Sequence, residues 1–155
     1  MQKQIDTDLI TPANAARQPF MPLLRELVRA YQAFANYDAA GYRDSDLTVS
    51  QADVIFTLGN TTGLTFKEIG ELTLITKGTL TGVIDRLEQK QLVRRVAQDE
   101  DRRCTRVELT PQGKLVFETE FPRQITRLGE RFQRLDAKEQ AQLIVLLQKL
   151  RQAFE

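Results

Sequence analysis

Apolar residues in this chain recur first at helical spacing and only later at strand spacing. After a polar leader over residues 1–18, Leu23, Leu24, Leu27, Tyr31 and Phe34 return every three or four positions and share one helical face. Pro19 and Pro22 suit the start of that helix, where a missing amide proton costs nothing. Gly41 and the polar run Tyr42-Arg43-Asp44-Ser45-Asp46 end it. A second helix is expected from Ser50 as its cap, with Asp53 at the third helical position and Val49 stapled to Val54. It runs to about Asn60, and Thr61-Thr62-Gly63 breaks it. Thr65 and Glu68 form a capping box for a short third helix, expected to bury Ile69 and Leu72. After a turn at Thr73 to Ile75, Thr76 is the expected cap of a fourth helix. Its inner stripe is Leu80, Val83, Ile84 and Leu87.

The period then changes. Leu92-Val93-Arg94-Arg95-Val96 reads as a strand, and Thr105-Arg106-Val107-Glu108-Leu109 alternates as its antiparallel mate. Thr110-Pro111 opens a long helix with the stripe Phe117, Phe121, Ile125, Leu128, Phe132 and Leu135, a place where Pro122 can introduce a kink. Asp136 caps a last helix lined on one face by Leu143, Leu146, Leu147, Leu150 and Phe154. The fold expected is mainly α with a small β-hairpin wing. Its parts are a leader and dimerisation helix over 1–45, a winged helix-turn-helix over 46–110 and dimerisation helices over 111–155. The terminal helices carry more apolar surface than the small central module can use. A homodimer interface built from both ends is the simplest use of it; helices folded back on their own core are the alternative.

Composition narrows the chemistry. Among 155 residues there is no histidine, which removes histidine-based catalytic triads and histidine-ligated metals. The one cysteine, Cys104, permits neither an intrachain disulfide nor a cysteine metal cluster, and suits a reducing compartment. Neither a metal nor a cofactor is expected. The N-terminus carries Asp6 and Asp8 without a long apolar run, so no signal peptide is expected. No stretch approaches the roughly 20 apolar residues of a membrane span, and a cytoplasmic location is expected. With 22 basic and 21 acidic side chains, net charge is +1. A polyanion partner would therefore have to be held by a local basic patch rather than by bulk charge.

Two short helices joined by a tight turn and followed by a ribbon make a winged helix-turn-helix. In that module the second helix of the pair enters the major groove, where base edges are readable, and the ribbon reaches the neighbouring minor groove. With its stripe facing in, the fourth helix shows Gly78, Gly82, Asp85 and Gln89 outward, flanked by Thr79, Thr81 and Arg86, with Lys77 on the first turn. Two exposed glycines cost about 1 kcal/mol each in helix propensity. Close approach of backbone to DNA is one reason to keep them; a weak, solvated helix is the plainer one. The wing tip, Gln98-Asp99-Glu100-Asp101-Arg102-Arg103, allows Asp101 to brace Arg103 by an ion pair. Between Arg86 and Arg106 there are seven basic and four acidic residues, the local excess that phosphate contacts need. Two other classes compete. One is a winged helix docking on protein, separable from DNA binding by salt dependence. The other is a small enzyme, for which the chain has no histidine and no glycine-rich phosphate loop.

The segments LTVSQADVIFTL (47–58), ITKGTLTGVIDRLEQKQLVRR (75–95) and DRRCTRVELTPQG (101–113) together resemble the MarR family of bacterial transcriptional regulators. Helix placement extends the resemblance to about residues 20–154. It implies a homodimer with interlocked terminal helices, each subunit offering one winged helix to half of a palindromic double-stranded DNA operator, usually as a repressor. It implies Arg103 in the minor groove with Asp101 as its brace and Arg102 beside it, and it places Thr76, Lys77, Thr79, Thr81 and Arg86 at recognition-helix positions. Two departures stand out. Gln91 stands where many relatives have glycine, and Gln98-Asp99 where many have Asp-Pro.

Members of that family often release DNA when a small aromatic acid binds between the dimer helices and the winged module. Such a pocket would draw on Arg25, Tyr31, Phe34 and Tyr37, although aromatic residues at helical spacing more often serve a core. Other members respond to oxidants through a cysteine near the first helix, and this chain has none there. Cys104, beside Arg103, can be activated by nearby arginines. Its plain reading is a small strand residue without a role.

Overall fold

The computed structural model describes residues 10–73, 75–97 and 105–155. They fall into two compact units, one ending at Tyr37 and one from Asp38 to Glu155. The first holds a 3-10 turn at Ala15–Arg17 and most of helix α1 (Met21–Ala40). Pro22 is the second residue of α1, where the backbone N–H has no intrahelical partner anyway. No residue of α1 is buried; Leu23, Leu24, Tyr31 and Phe34 are exposed and Leu27 is half-buried.

In the second unit, helix α2 (Val49–Leu58) starts two residues earlier than a Ser50 cap allows. Thr48 is the cap: its hydroxyl accepts from the Gln51 amide at 3.3 Å, and Gln51 Oε1 accepts from the Thr48 amide at 3.1 Å. The reciprocal box needs a side chain long enough to reach back, which glutamine supplies and Asp53 does not. Ser50 is thus inside the first turn, and Val49 is exposed rather than stapled to Val54. Helix α3 (Phe66–Thr73) opens as expected: Glu68 Oε2 accepts from both the amide and the hydroxyl of Thr65. Those bonds hold the Glu68 carboxyl below its usual pKa. Ile69 is fully buried, but Leu72 is 64% exposed. In a helix of two turns only a narrow strip reaches the core, and Phe66, Ile69 and Thr73 occupy it.

Helix α4 (Lys77–Gln89) buries Leu80, Val83, Ile84 and Leu87, the whole expected stripe. With Ile55 and Leu58 of α2 and Ile69 of α3 they form the core, against Val93 and Val107 of the sheet. Each such side chain contributes roughly 1.5–3 kcal/mol by leaving water. Among the described residues the sheet has three strands rather than two. Strand β1 (Leu64–Thr65) joins β2 (Val93–Ala97) and β3 (Thr105–Leu109) in the antiparallel order β1-β3-β2. Leu64 lies opposite Val107 and Thr65 opposite Arg106. A two-residue strand shows no alternation to read, and Thr65 carries the signature of a helix cap at the same time. What fastens β1 lies elsewhere in the chain: Arg106 donates from Nη2 to the Gly63 carbonyl at 2.5 Å.

The joint between α4 and β2 accounts for the first departure. Gln91 stands in the left-handed region, φ 58°. Its amide bonds to the Glu88 carbonyl and that of Leu92 to the Leu87 carbonyl, both at 2.9 Å. This is the Schellman ending that glycine usually serves, at a cost on the order of 1 kcal/mol for a side chain. Thr110 helps to hold it by donating from its hydroxyl to the Gln91 carbonyl at 2.6 Å. The same hydroxyl accepts from the Gly113 amide at 3.0 Å and so caps helix α5 (Pro111–Phe132). Gly113 is there by necessity, since a Cβ would sit 2.0 Å from the Leu92 carbonyl oxygen. The run Leu109-Thr110-Pro111-Gln112-Gly113 is thus a three-way weld between α4, the sheet and α5.

Helix α5 continues through Pro122 and ends at Phe132, so Leu135 lies in the link to α6 (Ala137–Gln152). Its first half packs on the module, where Phe117 and Phe121 stack at 5.2 Å and Phe121 meets Phe56 at 5.1 Å. Phe56 in turn lies 6.2 Å from Tyr42. Its second half, at Ile125 and Phe132, is exposed. Between them Gln124 is buried and donates to Asp38 Oδ1 at 2.6 Å. Asp136 and Glu139 form the capping box expected for α6. No residue of α6 is buried, and Phe154 lies just past its end.

Candidate nucleic-acid interface

The turn between α3 and α4 is set by one side chain. Thr73 donates to the Ile69 carbonyl at 2.7 Å and accepts from the Ile75 amide at 3.3 Å, so the chain leaves α3 on a short, closed path. Helix α4 then lies with its apolar stripe sealed in the core and its other side open. Thr76, Lys77, Gly78, Thr79, Thr81 and Arg86 are all exposed. A Cβ added at Gly78 or Gly82 would meet nothing within 4 Å, so packing does not require either glycine.

Thr76 stands at the N-cap in extended conformation but makes no side-chain cap bond. Its hydroxyl donates instead to Thr79 Oγ1 at 3.1 Å. The expected cap therefore has the right place and a different bond. The amides of the first turn are not taken up by it, which leaves a positive helix end next to Lys77. The Thr81 hydroxyl points back to the Lys77 carbonyl at 3.4 Å. These residues and Arg86 are all exposed on a single helix, on the two flanks of its glycine face.

Asp85, expected on the outward face, is engaged. Arg95 of β2 donates to Asp85 Oδ1 at 2.5 Å and also pairs with Glu88 Oε2. The Arg95 amide donates to Glu88 Oε1 at 3.3 Å, and the guanidinium lies 5.5 Å from the centre of the Phe66 ring. The hydrogen bond to Asp85, foremost, raises the Arg95 pKa above its already high value. The sequence showed Arg95 only as one of several wing arginines. A cation ten residues from one carboxylate and seven from the other has no signature at helix or strand spacing.

Arg94 and Glu108, directly opposite across the ladder, pair at 3.1 Å. Ala97 pairs with Thr105, so the ladder runs up to both ends of the wing tip. Asp101, Arg102, Arg103 and Cys104 lie outside the described residues.

Of the residues expected to line an effector pocket, Arg25, Tyr31 and Phe34 are exposed on α1 and Tyr37 is half-buried. Two grooves of about 500 and 760 Å³ open on the second unit. One runs past Leu47, Lys90, Leu92 and Leu115, the other past Phe66, Ile75, Lys77 and Arg95. Neither includes the α1 residues. Of the five residues expected to dimerise, Leu143, Leu146, Leu147 and Phe154 are exposed and Leu150 is half-buried. Among the described residues there is no cluster of three metal-ligating side chains, and no helix is long and apolar enough to cross a membrane.

Residues 45–103 match the family model described as MarR family. The HTH-type transcriptional regulator SarZ of Staphylococcus aureus is 33% identical over 92 residues, 59% of this chain and 57% of SarZ. The match thus spans little more than half the length of that relative. Among solved structures, one concerns regulation of DNA binding of Bordetella bronchiseptica BpsR by 6-hydroxynicotinic acid. It aligns with a TM-score of 0.74 at 28% identity, over 87% of this chain and 94% of that one. A mutant MarR from E. coli complexed with operator DNA aligns with a TM-score of 0.76 at 25% identity, over 91% and 99%.

Proposed function

We propose that the chain is a MarR-family regulator, a homodimeric, cytoplasmic repressor that binds a palindromic double-stranded DNA operator; the family match over residues 45–103 and the shared fold support this reading. The observation that carries this is the two-sidedness of α4. Its stripe is completely buried, and its other side offers Thr76, Lys77, Thr79, Thr81 and Arg86 around two glycines that packing does not need. Such a face lets a helix lie deep in the major groove, where threonine and lysine reach base edges and phosphates. The first-turn amides add an anion site for a phosphate. From the wing, Arg103 enters the minor groove with Asp101 as its brace and Arg102 beside it. The same fold in a MarR complexed with operator DNA supports this docking.

Dimerisation through Leu143, Leu146, Leu147, Leu150 and Phe154 places two such helices on two half-sites. An aromatic acid is the proposed effector, with Arg25, Tyr31, Phe34 and Tyr37 on its path. The printed regulation of BpsR by 6-hydroxynicotinic acid supports that class of ligand. The test is fluorescence anisotropy of wild type and Arg103→Ala on duplexes from around the gene, titrated with salt. Tight binding that weakens steeply with salt and collapses in the variant is expected. A well-folded wild-type dimer that binds no duplex would overturn the proposal in favour of a protein-docking winged helix.

A further inference from the structure

Resting on the DNA-binding reading above, we infer that Arg95 is a positioning residue for DNA recognition, holding Asp85 and Glu88 of α4 and offsetting one of their two negative charges. Asp85 shares the outer side of α4 with Gly78 and Gly82, one helical turn or two further along. Left bare there, its carboxylate would meet the phosphate wall of the groove that the same face enters. Glu88 follows three residues later. Arg95 takes both, one on each arm of its guanidinium.

The arginine is built to stay in place. It comes from β2, so the wing strand itself delivers it. Its own amide donates to the Glu88 carboxylate that its side chain also holds. Its guanidinium carbon lies over the Phe66 ring of α3, 5.5 Å from the ring centre. A single residue thereby ties α3, α4 and the wing, the three elements that must keep a constant relation for helix and wing to engage adjacent grooves. A planar fork can hold two carboxylates while stacking on a ring; an ammonium cannot do all three. Two carboxylates against one guanidinium leave this corner at one negative charge instead of two.

The experiment measures duplex binding at about 0.05 M and about 0.3 M salt for wild type, Arg95→Gln, Asp85→Asn and the double variant Asp85→Asn/Arg95→Gln. Arg95→Lys serves as the variant that keeps the charge without the fork, and far-UV circular dichroism establishes folding of each. Arg95→Gln is expected to lose about tenfold in affinity at the lower salt, with the deficit narrowing at the higher because partly exposed charges are screened. The double variant should regain most of that loss, and Arg95→Lys should fall between Arg95→Gln and wild type. A deficit indifferent to salt and not relieved by Asp85→Asn would show a packing role only, and would overturn the inference. So would an Arg95→Gln protein that binds like wild type. A wild type that binds no duplex would remove the DNA-binding reading itself, and this inference with it.

Discussion

Helices α4 and α6 carry the same kind of leucine-rich stripe at the same helical spacing, yet their surroundings are opposite. In α4, Leu80, Val83, Ile84 and Leu87 are all sealed between α2, α3 and the sheet. In α6, Leu147 is 48% exposed and nothing along the helix is buried. The two helices also differ on their remaining sides. That of α4 is small, polar and cationic, whereas α6 adds Ile144 and Val145 to its apolar surface, both exposed. A helix apolar over so much of its circumference is stable in water only when something covers it. Periodicity thus tells which residues seek cover. It does not tell whether the cover is the chain's own core or a second copy.

The sharpest way to break the comparison is to remove one leucine from the sealed stripe. Leu87→Ala leaves a cavity among fully buried neighbours and is expected to cost roughly 2–5 kcal/mol, read as a fall in the urea or thermal midpoint. If the midpoint hardly moved, the core assigned to α4 would be wrong. The corresponding change on α6 is expected to act on association. Leu147→Glu with Leu150→Glu should weaken self-association by about 100-fold or more, on the order of 3 kcal/mol for charges forced into an apolar interface. Sedimentation should then show monomers that keep wild-type helix content. A variant that remained dimeric would place the interface elsewhere.

A smaller effect sharpens the functional side of α4. Gly78→Ala and Gly82→Ala meet no neighbouring atom, so each should stabilise the free protein by about 1 kcal/mol through helix propensity. If the glycines serve close approach to DNA, the stabilised protein will bind duplex more weakly, as anisotropy would show. Stabilised variants that bind as well as wild type would assign the glycines no role in docking.

The smallest effect is electrostatic. Asp53 keeps more than a third of its surface open. Even so, the partial burial of its carboxyl, and then the charge of Asp38, raise its pKa. A raised acid favours the folded state most below the unfolded pKa of about 3.9 and loses that contribution as pH rises through the folded value. Asp53→Asn should therefore raise the melting temperature slightly at neutral pH and leave it unchanged near pH 3 (about one unit below the unfolded value). Equal shifts at both pH values would point to a cause other than ionisation.

What was legible in the chain is local. The capping boxes at Thr65 and Glu68 and at Asp136 and Glu139 rest on side chains three residues apart. The stripe of α4 rests on a 3.6-residue repeat. The cap of α2 is Thr48 rather than the expected Ser50, because Gln51 at its third helical position reaches back to the cap amide. Leu72 was misplaced because a short helix has fewer inward positions than its apolar residues suggest. Within the candidate site, the exposed residues of α4 were readable, while Arg95 and its two carboxylates were not.

The amino-acid sequence by itself determined the helices, the capping boxes at Thr65 and Glu68 and at Asp136 and Glu139, and the apolar stripe of α4. These follow from interactions within a turn or two of chain. Tertiary structure alone decided the third strand, fastened by Arg106 to Gly63 across 43 residues. It also decided the burial of Gln124 against Asp38 across 86, and the capture of Asp85 and Glu88 by a wing arginine. In each case a polar group is paired because a partner distant in sequence arrives with the opposite charge or hydrogen-bonding character. No local pattern encodes that arrival, because the fold brings the partner there.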